Sequence, residues 1–350
     1  MTDRQTDRQT DRQNSFDHLR LIATIAVIAI HVNYNYFDKI AYNPALSFDY
    51  VSESLINIIT RFSVPCFVMI SGAFNLNNAN NKNRKLFYKK TGWKILIPTA
   101  GIIVIFLPFA IIKKIFAGDL WFEPIISVFQ GAFKIWFMFM LLGLYILTPF
   151  IIKAKEVLTK KERKRSIIVL CIWAILSQAT SSYKLSYSIG VVGSFLAYYL
   201  LGDYLYNEIK ISLSRGLLIA ISLIMIFATF IVRFWGFEYY LSDAYTNFFS
   251  PTIFVYSISV FMFVKGVNSK ISWYRVSKYT FYIYLFHMFV LAFITKILGK
   301  YMRNIMNIKA IIFEIVITFI ASFICAIIYD KFWASKEKWK EKFYSLSLFK

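Results

Sequence analysis

Apolar runs long enough to cross a bilayer, about 17 residues or more, recur from one end of this 350-residue chain to the other. With 58% hydrophobic residues, 17% charged residues and a mean hydropathy of +0.55, a single soluble core could not hide this surface. Inside lipid every backbone amide must be satisfied within the protein, which leaves helices as the natural form of runs this long. The predicted fold is therefore all-α: a polytopic integral membrane protein of about ten transmembrane helices. The expected spans are 18–37, 52–74, 93–112, 135–152, 166–182, 187–206, 214–234, 248–265, 279–298 and 309–329.

The charges orient these spans. With the N-terminus inside, the cytoplasmic segments carry 29 Lys and Arg and the outer connections carry 10, with Arg61 inside a span. That asymmetry is the positive-inside pattern and predicts both termini in the cytoplasm. The net charge of +21 thus reflects topology, and nucleic acid is not an expected partner. The longest outer connections, near 38–50, 113–134 and 235–247, are too short for a soluble catalytic domain, so any chemistry belongs in or at the membrane. The leading residues are polar, and no cleavable signal peptide is expected. Cys66, Cys171 and Cys325 all fall in apolar runs without paired or metal-ligand spacing, so neither a disulfide nor a metal site is predicted.

Residues 2–13 read TDRQ three times over, and residues 1–15 are expected to be a disordered leader. A membrane domain is expected over 16–331 and a basic cytoplasmic tail over 332–350. A repeated four-base unit makes four codons in three copies, and ACAG repeated encodes Thr-Asp-Arg-Gln. The tract therefore suggests slippage that switches expression on and off (phase variation), as suits genes that alter a bacterial surface. Mixed codons at Thr2–Gln13 would end that idea.

Several ionisable groups sit where lipid should reject them. Arg20 and His31 lie eleven residues apart in FDHLRLIATIAVIAIHVNYNYF (Phe16–Phe37). On a helix that spacing is three turns plus roughly 20°, so they share one face about 16 Å apart. His31 reads as a general base or as an interhelical hydrogen-bonding group. Arg20 reads as a snorkelling anchor or as a ligand for an anionic group. Arg61 lies deep in the second span and needs a partner, for which Glu53 is one candidate. Pro65 follows it and frees backbone carbonyls. His287 lies in the Tyr-rich SKYTFYIYLFHMFVL, and Asp203 and Glu314 read as structural hydrogen-bonding groups or relays. The basic NKNRKLFYKKTGWK (Asn81–Lys94) is inside-facing charge or a contact for phosphates, with Lys94 at its end. No Gly-rich phosphate loop, nucleophile-elbow Ser or paired-His metal motif is present.

Four segments then carry a resemblance. The first is FDHLRLIATIAVIAIH, with an Arg-x10-His spacing met by Arg20 and His31. The second is VPCFVMISGAF (Val64–Phe74), followed by KKTGWKILIP. The third is IWFMFMLLGLYILTPFI (Ile135–Ile151), and the fourth is SKYTFYIYLFH (Ser277–His287). Together and in this order they resemble the membrane acyltransferase-3 family, which O-acylates bacterial surface polysaccharides. Two departures stand out. Lys134 occupies the position where relatives often place a His, and no esterase-like domain follows the last span.

The resemblance implies a multi-pass enzyme of the bacterial inner (plasma) membrane. It implies a cytoplasmic acyl-CoA, commonly acetyl-CoA, as cosubstrate, with no metal. The acceptor would be a hydroxyl of a surface polysaccharide or lipopolysaccharide glycan, free or lipid-linked. His31 with His287 would be the catalytic pair, and Arg20, Arg61 and Lys94 the donor-binding cations. Membrane lipids surround such a chain, and a homo-oligomer is compatible with it. A transporter or flippase of a lipid-linked sugar shares the spans and buried arginines, but needs no acyl donor and leaves its glycan unmodified. A glycan polymerase would need a larger outer loop.

Overall fold

The structure, a computed structural model, describes residues 3–40, 48–105, 136–179, 190–210, 213–235, 247–302 and 308–334. Every regular element among these residues is helical. The principal helices are α1 (Asp3–Ile40), α2 (Phe48–Thr60), α3 (Ser63–Asn75), α4 (Arg84–Thr91), α5 (Trp136–Val157), α6 (Lys160–Ala179), α7 (Gly190–Asp203), α8 (Arg215–Trp235), α9 (Pro251–Lys265), α10 (Thr280–Met302) and α11 (Ile308–Ala334). The helix α1 begins at Asp3, so the TDRQ repeat continues into the first span as helix where a disordered leader was expected. Its Arg and Gln are good helix formers and it contains no Gly or Pro, which leaves nothing to stop the helix.

Among the described residues six stretches are long and apolar enough to cross a membrane: Asn14–Tyr36, Val51–Asn75, Trp136–Val157, Arg215–Arg233, Thr280–Leu298 and Ile308–Phe332. They coincide with six of the ten expected spans. The expected third span runs beyond the described residues after 105. The expected sixth falls on α7, which adjoins residues outside the described ones and continues as a π-helical turn over Tyr204–Glu208, and the expected eighth falls on α9, a shorter apolar helix of 15 residues, about 23 Å. The expected fifth lies on α6, whose first turns hold Lys160, Lys161, Glu162, Arg163, Lys164 and Arg165. Apolar side chains that face outward, such as Leu223 and Phe227 of α8 and Phe313, Val316 and Ile320 of α11, supply the surface that lipid would cover.

Two compact units make up the chain: Met1–Phe74 with Lys164–Asp330, and Asn75–Arg163 with Lys331–Lys350. In the first, α1 packs against α2, α9 and α10. Its residues Phe16, Leu19, Ala23, Ile28 and Val32 are all buried, so one face of the helix is packed inside the unit, while Ile22, Ile25 and Tyr34 are exposed. One apolar cluster joins Ile28, Val32 and Tyr36 of α1 to Ile283 and Leu291 of α10 and to Ala310, Ile311 and Ala326 of α11.

The second span is interrupted between α2 and α3 at Arg61 and Phe62. Pro65 causes this: its nitrogen cannot donate to the Arg61 carbonyl four residues back, and its ring crowds that carbonyl. Farther along α3, Gly72 meets α7 at backbone contact. A Cβ on Gly72 would lie 1.8 Å from the Tyr199 carbonyl oxygen, and one on Gly202 would lie 2.1 Å from that of Met69. The two glycines therefore let α3 and α7 touch backbone to backbone, the packing that small residues permit where lipid gives no hydrophobic drive. Asn207 ties the same pair of segments, donating to the Ala73 carbonyl at 3.1 Å and to Asp203 Oδ1 at 2.8 Å.

In the second unit α4 lies along α5. Tyr88 donates its hydroxyl to the Ile146 carbonyl at 2.8 Å, and Lys82 pairs with Glu156 at 2.7 Å. Thr159 and Glu162 cap α6 reciprocally. The Thr159 amide and hydroxyl both donate to the Glu162 carboxylate, and the Glu162 amide donates to the Thr159 hydroxyl. Those donors hold the Glu162 carboxyl below its usual range.

Candidate functional site

The sequence placed Arg20 and His31 on one helical face, and α1 runs unbroken through both. The tertiary structure adds the partner that spacing could not supply. His287 of α10 comes to His31 with ring centroids 5.2 Å apart and ring planes inclined by 43°. These residues are 256 positions apart in sequence, and they meet because α10 packs against α1.

Local structure determines which nitrogen of His287 can act. Its Nδ1 faces the Tyr284 carbonyl oxygen one turn back on α10. A carbonyl only accepts, so this contact places the proton on Nδ1 and leaves the lone pair on Nε2. His287 is fully buried, and Nε2 has no hydrogen-bond partner among the described residues. A buried nitrogen with a free lone pair is poised to accept a proton from a group that enters beside it. The Tyr284 ring, 5.1 Å from the imidazole, forms another wall. His31 is half-buried and so is the more accessible of the two imidazoles.

Arg20 lies one to two turns beyond the buried start of the first span. Its Nη1 donates to Asp17 Oδ1 at 2.5 Å, and its guanidinium stacks on Phe74, 5.1 Å from the ring centroid. Phe16 is packed against Phe74, Tyr206 and Phe261, so the cation sits against an aromatic wall. Its side chain remains 30% exposed, accessible to an anion. Asp17 was not singled out from the sequence, although its i,i+3 spacing from Arg20 is the signal that could have found it.

Arg61 occupies the break between α2 and α3, half-buried, with Nε donating to Asn57 Oδ1 at 2.7 Å. Its guanidinium lies over Phe248 at 5.6 Å. Glu53, the partner suggested by sequence, is 2% exposed and acts electrostatically on the Tyr36 hydroxyl. Asn57, one turn from Arg61, is the nearer neighbour on the helix and supplies the acceptor. Lys94 is exposed in the π-helical turn Gly92–Leu96 of the second unit. The position 134 lies outside the described residues.

Within the first unit the arrangement supplies two functions on one helix. A cation at one level can hold an anionic group, and an imidazole pair about 16 Å farther along can move a proton. Among the described residues no group of three or more His, Cys, Asp or Glu could hold a metal ion. A family model described as an acyltransferase domain matches residues 13–330, nearly the whole chain. No curated protein and no solved structure matches the chain.

Proposed function

Because the chain belongs to the acyltransferase-3 family, we propose that this membrane acyltransferase moves an acyl group, acetyl in the first instance, from a cytoplasmic acyl-CoA to a hydroxyl of a surface glycan. The observation that carries the reading is the contact between His31 and His287 in the interior of a membrane-spanning unit. Acyl transfer needs a base for the attacking hydroxyl, and a neutral imidazole can serve at neutral pH.

The reaction balances on these residues. As the acceptor oxygen bonds to the thioester carbonyl carbon, an imidazole of the pair takes the hydroxyl proton. The tetrahedral intermediate then collapses, the carbon–sulfur bond breaks, and the proton passes to the departing CoA sulfur. Arg20 is too far along α1 to touch the reacting carbonyl. The extended pantetheine arm, however, separates the CoA phosphates from the sulfur, so a phosphate ligand must lie far from the base. Arg20 meets that requirement, with Phe74 and Asp17 orienting its fork. The basic surface of the second unit, Lys94 included, and Arg61 are further cations for anionic groups. The site of action would be the inner membrane of a bacterium, with the TDRQ tract as a switch on expression.

A planar guanidinium stacked on a ring is not replaceable by an ammonium. Arg20→Lys is expected to raise the KM for acyl-CoA by about tenfold or more, the worth of a charged hydrogen bond, with a smaller change in kcat. Initial rates against acetyl-CoA concentration measure this, and an unchanged KM removes Arg20 from donor binding. The function itself is tested by mass spectrometry of surface glycans from wild-type and deletion strains. A loss of one acetyl unit in the deletion strain is the expected result. Identical glycan masses would favour the transporter reading instead.

A further inference from the structure

Serine and threonine inside these helices mostly turn their hydroxyls back on the helix itself. Thr24, Thr60, Thr148, Ser222 and Ser257 each donate to the carbonyl four residues earlier. Thr318 and Ser322 of α11 do not follow them. Both are fully buried, and among the described residues neither hydroxyl has a hydrogen-bond partner. They continue a stripe that starts at Glu314, at positions i, i+4 and i+8, along about 12 Å of the helix.

The stripe faces the interior of the first unit. On a helical projection Thr318 and Ser322 alternate with Ile311 and Ile315, which pack into the cluster shared with α1 and α10. Its two ends can be located from contacts. Thr295 of α10 donates to Glu314 Oε1 at 2.9 Å. The rings of Tyr282 and Phe286, earlier on α10, lie by Tyr329, later on α11, so the helices run antiparallel. His287 is eight residues before Thr295 and Ser322 eight residues after Glu314, which sets Ser322 about level with the imidazole pair. From there the stripe climbs, away from Arg20, to Glu314, whose carboxylate is hydrogen-bonded to the Tyr36 hydroxyl.

That far end is polar and buried as well. Glu53 and Glu314 are 2% and 3% exposed and both act on Tyr36. Asn33, fully buried, donates through Nδ2 to the Glu53 carbonyl at 3.1 Å, while its Oδ1 has no partner among the described residues. Buried polar atoms are almost always satisfied. Here Asn33 Oδ1, Thr318 Oγ1, Ser322 Oγ and His287 Nε2 are all without partners within one interior. Unpartnered acceptors and hydroxyls in a row are what a ligand rich in hydroxyls would satisfy.

We propose that the polar face of α11 from Ser322 through Thr318 to Glu314, with Asn33 and Tyr36 of α1, is the binding track for the glycan acceptor and delivers its hydroxyl to the His31–His287 pair. This inference rests on the acyltransferase reading above. Donor and acceptor then approach the imidazoles from opposite ends of α1, the donor from Arg20 and the acceptor from Tyr36.

The test uses the full-length protein in proteoliposomes, with labelled acetyl-CoA as donor and octyl β-D-glucopyranoside or octyl β-D-galactopyranoside as membrane-anchored acceptors. The double variant Thr318→Val with Ser322→Ala is expected to raise the acceptor KM by about tenfold, from two lost hydrogen bonds, and to leave the acetyl-CoA KM unchanged. Its melting temperature should stay level or rise, since the hydroxyls it removes bond nothing within the protein. Thr318→Ser, which keeps the hydroxyl, should retain a near-wild-type acceptor KM. An unchanged acceptor KM in the double variant, equal shifts in both KM values, or a lowered melting temperature would overturn the track. So would a wild-type rate that does not saturate with either glycoside. Failure of the wild type to bind or consume acetyl-CoA would instead sink the acyltransferase reading, and the track with it.

Discussion

His31→Ala and His287→Ala are each expected to lower acyl transfer by about 10²- to 10⁴-fold, the range that a positioned general base contributes. The two imidazoles touch, so they act as a unit, and the double variant should be little worse than the more damaging single one. A structural role for the pair predicts a different pattern. Removing a packed imidazole would then lower the melting temperature and the amount of protein in the membrane while activity per folded molecule survived. Measuring transfer rate and thermal unfolding on the same purified variants separates the cases. Normal specific activity in either variant would remove that histidine from the chemistry. His287→Ala also removes the buried ring and its Nδ1 contact with the Tyr284 carbonyl, so its rate is read per folded molecule.

Gly72→Ala and Gly202→Ala are expected to cause large losses of stability, about 3 kcal/mol or more each. The added Cβ would fall 1.8 Å and 2.1 Å from carbonyl oxygens of the facing helix, where no side chain can rotate away. The backbones of α3 and α7 would have to separate. Separation would also strain the Asn207 hydrogen bonds and shift Phe74, against which Arg20 is stacked. Thermal unfolding in detergent should show a large drop in both variants, together with a raised acyl-CoA KM in any protein that still folds. Gly193, by contrast, has open space where its Cβ would go, and Gly193→Ala is the matched control. Equal melting temperatures for all three variants would contradict the close approach of α3 and α7.

Much of this was legible in order of residues alone. The helical class and the six spans follow from long apolar runs, because a bilayer leaves the backbone no other solution. The common face of Arg20 and His31 follows from helical period, which holds wherever a helix is unbroken. The interruption near Arg61 was readable from Pro65, whose missing N–H acts four residues away. The TDRQ tract, expected as a disordered leader from its polar composition, is helical from Asp3, and its residues tolerate helix. Of the ten expected spans, six are long and apolar enough to cross a membrane among the described residues, and the third, fifth and sixth adjoin residues outside them.

The site divides in the same way. His31 and His287 could each be named from the chain as costly groups, and Glu314, Thr318 and Ser322 stand in the sequence as a stripe at fourfold spacing. What no local pattern contains is which of these face one another. The meeting of His31 with His287, of Arg20 with Phe74, and of Glu314 with Tyr36 and Thr295 depends on the packing of helices far apart in the chain. Sequence alone determined the elements and the cost of each buried polar group, since both arise from the residue and its immediate neighbours. Only the tertiary structure decided how those costs are met, since hydrogen bonds and ring contacts between helices depend on register, crossing and the close approach that Gly72 and Gly202 allow.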